Sequence, residues 1–315
     1  MRLLVIGGAG FIGSNFVRMF KGRTEMMVLD SFTYAGRHEN LTDAEIECWS
    51  VDITNAGDLM SHFDIVRPTH VINFAAESHV DRSIEDGSVF LDTNVGGVFN
   101  ILEACRQTGV ERFLQVSTDE VYGSLTADEP PFSESNPIIP NSPYSASKAS
   151  ADLFVRSYVE THGLDAVITR CSNNYGPYQY PEKLIPLFVT NLIQEKKVPL
   201  YGDGKNIRDW IHVKDHCRGI WDALVKGKKG EVYNFGGGCE LQNVDITHKV
   251  LEAFGMGKEM IEYVEDRKGH DRRYAVDYSK ATKCLDWQPE IGFEEGLAET
   301  VQWYKDNKEW WGPLK

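Results

Sequence analysis

A chain of 315 residues with 42% hydrophobic and 25% charged residues has ordinary globular composition and can bury a large core. Its formal net charge of -14 and lack of a basic run argue against nucleic acid, but not against a small anionic ligand, since distant charges are screened within about 8 Å. No stretch has membrane-spanning length and no basic n-region precedes an apolar one, so a cytoplasmic protein without membrane contact is expected.

Residues Arg2 to Ile6 form an apolar strand that runs into Gly7-Gly8-Ala9-Gly10-Phe11-Ile12-Gly13 and a helix-like segment, Ser14 to Phe20. A glycine-rich loop between strand and helix lets backbone N–H groups approach a pyrophosphate. Val28-Leu29-Asp30 closes a second strand, with Asp30 placed 20 residues beyond Gly10. A carboxylate there accepts hydrogen bonds from an adenosine ribose and repels a 2′-phosphate, which favours NAD over NADP. Arg37 is the only nearby alternative for a 2′-phosphate. Ile46 to Ile53 reads as a third strand ending in Asp52-Ile53, and His70 to Ala76 as a fourth. Val95 to Thr108 has helical periodicity with Gly109 as its stop.

Arg112 to Val116 is a fifth strand, leading directly into Ser117-Thr118-Asp119-Glu120-Val121-Tyr122-Gly123. Ligands of open α/β sheets bind beyond the carboxyl ends of the strands. Two adjacent acids at such a place can divide a proton task, one staying protonated while the other is ionised. Asn141-Ser142-Pro143 then starts a helix, on which Tyr144 and Lys148 lie four residues apart and share one face. An ammonium beside a phenol favours phenolate, a base able to take a proton from an alcohol.

Ala166 to Cys171 is a sixth strand, followed by the turn-rich Ser172 to Tyr178. The alternation of strands and helices up to about Ser172 indicates an α/β fold, a Rossmann-type doubly wound parallel sheet. Lys183 to Ile193 reads as helix, Val198 to Tyr201 as strand, and Phe293 to Trp310 as an amphipathic helix whose Trp303 and Tyr304, like the following Trp311, are packing residues. Arg208-Asp209-Trp210 and His270-Asp271-Arg272-Arg273-Tyr274 add positive charge suited to a diphosphate. The six cysteines show no C-x-x-C spacing, so neither disulfides nor a metal site is expected.

The segments Gly7 to Gly13, Ala75 to Ser83, Ser117 to Gly123, Ser142 to Lys148, Cys171 to Tyr178, Pro181 to Pro186 and Gly269 to Tyr274 together resemble the extended short-chain dehydrogenase/reductases. Within that superfamily the chain is most similar to the nucleoside-diphosphate-glucose 4,6-dehydratases, above all those acting on dTDP-glucose. The resemblance implies an NAD-dependent hydro-lyase of deoxysugar synthesis, rhamnose-type included, usually a homodimer joined through the helices starting near Val95 and Tyr144. It implies a cofactor domain over residues 1–176 and about 214–249. A smaller C-terminal nucleotide-sugar domain is implied over 177–213 and about 250–315.

The same resemblance implies residue roles. Tyr144 is the base on the C4 hydroxyl, and Lys148 lowers its pKa while holding the cofactor ribose. Thr118 orients the C4 oxygen, Asp119 protonates the departing C6 hydroxyl, and Glu120 removes the C5 proton. Gly7, Gly10, Phe11, Ile12 and Gly13 hold the pyrophosphate, while Asp30, Ser31, Thr33, Asp52 and Ile53 serve the adenosine half. Ala75, Ala76, Thr93 and Asn174 make further cofactor contacts. Ser78, Asn173, Lys183, Leu184, Pro199, Tyr201, Arg208, Asn243, His270 and Tyr274 match substrate positions, Asn243 beside the atypical segment Gly236 to Gln242. UDP-glucose remains an open alternative substrate, and 4-epimerisation an alternative reaction that the Asp119-Glu120 pair disfavours.

Overall fold

Apolar runs separated by glycine and polar turns become the strands of the central layer, and the amphipathic segments between them become its helical cover. The computed structural model describes residues 1–266 and 269–315. In chain order the first half comprises β1 (Arg2–Ile6), α1 (Phe11–Phe20), β2 (Glu25–Asp30), β3 (Cys48–Ser50), α2 (Ala56–Val66), β4 (His70–Asn73), α3 (Val80–Glu85), α4 (Ser88–Phe90), α5 (Val98–Thr108), β5 (Arg112–Thr118), α6 (Pro143–His162) and β6 (Ala166–Cys171). The second half comprises β7 (Asn173–Tyr175), α7 (Leu184–Ile193), β8 (Val198–Tyr201), β9 (Ile207–His212), α8 (Val213–Lys226), β10 (Val232–Phe235), β11 (Glu240–Gln242), α9 (Asn243–Glu252), β12 (Ile261–Val264), α10 (Ser279–Leu285), α11 (Phe293–Asp306) and α12 (Lys308–Trp311).

Seven parallel strands form one sheet in the order β10-β6-β5-β4-β1-β2-β3. Because strand side chains alternate between faces, Leu3, Val5, Ile72 and Leu114 pack beneath α1, α8 and α10, while Leu4, Ile6, Val71 and Phe113 pack beneath α2, α5 and α6. Burying each such side chain contributes about 1.5–3 kcal/mol. The sheet order reverses between β1 and β4, so both strands point their carboxyl ends at one crevice.

A third core lies outside the sheet. Phe188 of α7, Leu200 of β8, Trp210 of β9, Ile246 and Val250 of α9, and Leu297 and Tyr304 of α11 pack together there. Ala281 and Leu285 of α10, with Trp287, instead join the layer under the central sheet. Sheets β11-β9-β7 and β12-β8 frame this region.

Several boundaries differ from the sequence reading. The third strand is only Cys48–Ser50, since it is an edge strand paired with β2 alone, and Asp52-Ile53 lie beyond it. The fourth strand stops at Asn73, whose side chain accepts from Ala75 N at 3.0 Å and turns the chain. The helix expected from Val95 begins earlier, as a π-helical turn over Leu91–Gly97 leading into α5. Gly97 allows this, because a Cβ there would meet Ile53 Cδ1 at 2.5 Å. The last helix ends at Asp306 and restarts at Lys308. All six cysteines are unpaired, and no helix among the described residues is long and apolar enough to cross a membrane.

Candidate active site

The strand ends converge on one cleft of about 440 Å³, within the roughly 300–1,000 Å³ common for ligand pockets. Its floor is the glycine loop. Gly7 has a φ of +76°, and a Cβ on it would meet Ala75 N at 2.3 Å; one on Gly13 would meet Gly7 O at 2.3 Å. These two glycines let β1, α1 and the end of β4 pack together. Gly10 is different, because a Cβ there would touch only Gly7 O, at an ordinary 3.5 Å. It is the N-cap of α1 and offers no capping side chain, so the N–H groups of the first turn face the cleft uncovered. Such a helix end suits a pyrophosphate.

Asp30, at the end of β2, is buried, which raises its pKa against the opposing effect of backbone hydrogen bonds. Its carboxylate accepts from Ala9 N and Phe32 N, both at 2.9 Å, and a Cβ on Gly36 would come within 2.4 Å of it. It therefore shapes the glycine loop as well as facing the cleft. Arg37 is engaged elsewhere, by the Trp310 carbonyl at 3.1 Å and by Glu39 at 3.2 Å. An acid facing the ribose position, with the neighbouring arginine so held, fits NAD. Ser31, Thr33, Asp52, Ile53, Ala75, Ala76, Thr93 and Asn174 all line the same cleft.

β5 ends at Thr118, and the chain turns into a 3-10 segment that begins with Asp119 and Glu120. Thr118 Oγ1 accepts from Glu120 N at 3.3 Å and donates to Asp119 Oδ1 at 3.4 Å. Burial holds Asp119 well above the usual carboxylate range, and the charges of Glu120 and Asp209 push the same way. Asp119 Oδ2 is buried and finds no hydrogen-bond partner among the described residues. A carboxyl whose surroundings raise its pKa in this way is suited to donate a proton.

Tyr144 and Lys148 reach this cleft from α6, whose start combines Pro143 with a reciprocal Ser142/Ser145 capping box. Burial raises the Tyr144 phenol well above its ordinary value, Glu120 adds to this, and the Thr118 hydroxyl opposes it. Lys148 donates to Val116 O at 2.8 Å, and burial lowers its pKa. Loss of hydration is the largest influence on the phenol here, and the ammonium is directed at a backbone carbonyl.

Of the expected substrate residues, Ser78, Thr118, Asn173 and Lys183 line the cleft, and Lys183 Nζ donates to Ser78 O at 2.9 Å. The others do not line it. Arg208 lies over the Tyr274 ring at 4.3 Å and donates to Asp271 O at 3.0 Å. Tyr201 meets His270 edge to face at 6.4 Å. Asn243 opens α9 beside them and Leu184 opens α7, while Pro199 sits on β8 with Tyr201. This second group adjoins the acids electrostatically, since Arg208 opposes the rise of Asp119 and Glu120 raises the pKa of Tyr274.

Sequence reasoning missed some of the lining. Tyr34, Glu77, Tyr180 and Glu182 face the cleft, and Tyr34 Oη donates to Glu182 Oε1 at 3.2 Å. Asn94, in the π-helical turn, clamps the backbone of Glu77 with two hydrogen bonds of 2.9 Å and donates to Ser147 Oγ at 2.9 Å. Asp209 accepts from Cys239 N at 2.8 Å and Gly237 N at 3.2 Å, and burial pushes its pKa up to about 6. An acid beside an arginine between apolar residues, as in Ile207-Arg208-Asp209-Trp210-Ile211, was the available signal.

The geometry has counterparts among known proteins. A dTDP-glucose 4,6-dehydratase of Streptomyces antibioticus is 51% identical over 327 residues, covering 100% of this chain and 96% of that one. A dTDP-glucose 4,6-dehydratase from Streptomyces venezuelae, crystallised with NAD bound, superposes with a TM-score of 0.97 at 50% identity, each chain covered in full. A UDP-glucose 4-epimerase of Thermus thermophilus, also in complex with NAD, reaches a TM-score of 0.91 at 33% identity over 98% of this chain and 100% of its own. Fold alone therefore does not separate dehydratase from epimerase. The family model described as GDP-mannose 4,6 dehydratase matches residues 4–300, nearly the whole of the sheet, the cleft and the outer core. By that match and these identities, the chain belongs to the GDP-mannose 4,6 dehydratase family.

Proposed function

We propose that this protein converts dTDP-glucose to dTDP-4-keto-6-deoxyglucose and water, with NAD unchanged at the end of each cycle. The observation that carries the reading is the adjacent pair at the end of β5, a buried Asp119 whose Oδ2 has no hydrogen-bond partner among the described residues and a more exposed Glu120, both lining one cleft with Tyr144. An epimerase needs only the phenol and a rotating ketone; expelling a hydroxyl needs an acid and a base as well.

When bound, NAD would supply the hydride acceptor for oxidation at C4 and, once reduced, the hydride donor for C6. Tyr144 takes the C4 hydroxyl proton while Thr118 orients the oxygen, and the resulting ketone acidifies the C5 proton. Glu120 removes that proton, and Asp119 delivers one to the C6 hydroxyl, which leaves as water; as hydride enters C6, Glu120 returns to C5 a proton that has exchanged with solvent. Lys148 holds the ribose and contributes positive charge near the phenol. Gly7, Gly10, Phe11, Ile12 and Gly13 cradle the pyrophosphate, and Asp30, Ser31, Thr33, Asp52 and Ile53 the adenosine half. In this reading Arg208 and Lys183 would receive the sugar diphosphate, with Ser78, Asn173, Asn243, His270, Tyr274, Leu184, Pro199 and Tyr201 around the hexose and base. Residues 1–176 with about 214–249 form the cofactor part in this reading, and the rest the sugar-nucleotide part.

The product suits deoxysugar synthesis of the rhamnose type in the cytoplasm. The chain pairs as a homodimer through α5 and α6. Phe99 on α5 and Phe154 on α6 stay 42% and 38% exposed with rings 6.1 Å apart, beside Leu153 at 55%. Such an apolar patch on two adjacent helices is characteristic of a subunit interface.

Incubation with dTDP-glucose and, separately, UDP-glucose, without added NAD, tests the reading. A 4-keto sugar, seen by its strong alkaline absorbance, is expected from dTDP-glucose. A galactose nucleotide in place of a keto sugar would contradict the reading.

A further inference from the structure

One turn further along the helix face that carries Tyr144 and Lys148 lies an ion pair that the chemistry above does not use. Asp152 follows Lys148 by one helical turn, so both project from the same side of α6. Asp152 is 2% exposed and its Oδ2 accepts from Arg170 Nε on β6 at 2.9 Å, with Arg170 itself 4% exposed. Asp152 Oδ1 is buried and has no hydrogen-bond partner among the described residues. Arg170 also covers the ring of Tyr122 at 4.8 Å. Apolar side chains of similar volume often hold such a place as well or better than a buried ion pair does.

Lys148 is where the pair's charge is felt. The ammonium is 5% exposed, and its hydrogen bond goes to the neutral Val116 carbonyl of β5, which cannot balance its charge. The titratable and charged groups around it are Tyr144 and Asp152 on its own helix and, on β6, Cys171, which also feels the charge of Asp119, and Arg170, which is paired with Asp152. Of these, Asp152 most strongly opposes the effect of burial on the lysine, and Cys171 follows.

We propose that Asp152 is a positioning residue that supplies the counter-charge keeping Lys148 protonated in the cleft, with Arg170 holding the carboxylate in place. The inference rests on the reading of Lys148 as the group that holds the cofactor ribose and charges the phenol's surroundings. Lys148 is protonated below its pKa and loses its proton as pH rises through it. Activity that needs the ammonium therefore falls on the alkaline side.

The test compares D152N, D152E and R170Q in the full-length holoprotein. Two readouts are followed: the pH profile of turnover, and the titration of the Lys148 Cε resonance in isotope-labelled protein, assigned with K148M. D152N is expected to move both the alkaline limb and the resonance midpoint down by about one pH unit or more. D152E is expected to restore them. R170Q breaks the same ion pair but leaves the carboxylate, so both readouts stay or move up. Should D152N not fold, the D152N/R170Q double variant removes both charges and is expected to sit below R170Q in both readouts. An unmoved Lys148 midpoint in D152N, or a common downward shift in D152N and R170Q, would make the pair a packing element and overturn the proposal. A wild-type protein that makes no keto sugar would sink the dehydratase reading alone, since the resonance still decides the role of Asp152.

Discussion

Asp119 and Glu120 are consecutive at the end of β5 yet lie in different surroundings: Asp119 is 2% exposed, whereas Glu120 is only partly buried. Burial first, and then the charge of Glu120, hold the Asp119 carboxyl above its ordinary range. In the proposed reaction the more buried of these two similar side chains is the acid and the other the base.

Asp119→Asn removes the acid without changing its shape. Turnover is expected to fall by about 10²–10⁴-fold, the usual worth of a positioned proton donor. Stability should move the other way. Because the folded-state pKa of Asp119 is raised, the wild-type fold loses stability as pH rises through that value. The variant is spared this and should melt higher at neutral pH. Its advantage should vanish below about pH 4, where Asp119 is protonated in both states. Melting curves across pH check the sign.

Tyr144→Phe keeps the buried ring and deletes the phenolic oxygen. The expected loss of turnover is again about 10²–10⁴-fold, while dissociation constants for dTDP and for NAD stay within about threefold, because the phenol's work lies in the proton transfer. Equilibrium titration alongside steady-state kinetics separates the two effects. A binding loss as large as the kinetic one would mean that Tyr144 is only a wall of the pocket.

Gly10→Ala and Gly13→Ala should part company. The added methyl at position 13 would meet Gly7 O at 2.3 Å and Gly8 Cα at 2.8 Å, so the fold itself is expected to lose about 1–3 kcal/mol. At position 10 the methyl has room within the protein, at 3.5 Å from its nearest neighbour, and projects where the pyrophosphate belongs. Stability of Gly10→Ala should stay within about 0.5 kcal/mol of wild type in the NAD-free protein, while NAD affinity falls by at least about tenfold. Thermal melts and NAD titration read the two quantities.

Phe99→Glu and Phe154→Glu each place a carboxylate in the exposed apolar patch on α5 and α6. Sedimentation is expected to show a dimer for the wild-type protein and a monomer for the variants, since an unpaired charge in an apolar interface costs several kcal/mol. A wild-type monomer, or a dimer indifferent to both changes, would point to another surface.

The central sheet was legible because its strands are apolar runs bounded by glycine and polar turns, the strongest local signals a chain carries. The acids and the Tyr144/Lys148 pair were legible because they follow directly from a strand end and a helix spacing. What escaped was built from polar residues buried by tertiary contacts. β9 reads as a charged segment because Arg208 and Asp209 interrupt it, and only the folded chain shows them sequestered against Asp271 and the Gly237–Cys239 backbone. β10, the last strand of the main sheet, is four residues long and carries the buried Asn234, which bonds Tyr122 at 2.9 Å and Phe132 O at 3.0 Å. The π-helical turn depends on the fit of Gly97 against Ile53, two positions 44 residues apart in the chain, and no local pattern encodes it.

The most direct test follows isotopes through a single conversion of dTDP-glucose deuterated at C4. The account predicts that the C4 deuterium reappears at C6 of the keto product in unlabelled water, and that unlabelled substrate run in heavy water gains solvent deuterium at C5. Deuterium retained at C4 of a sugar that has kept its C6 hydroxyl, with nothing gained at C5, would contradict it.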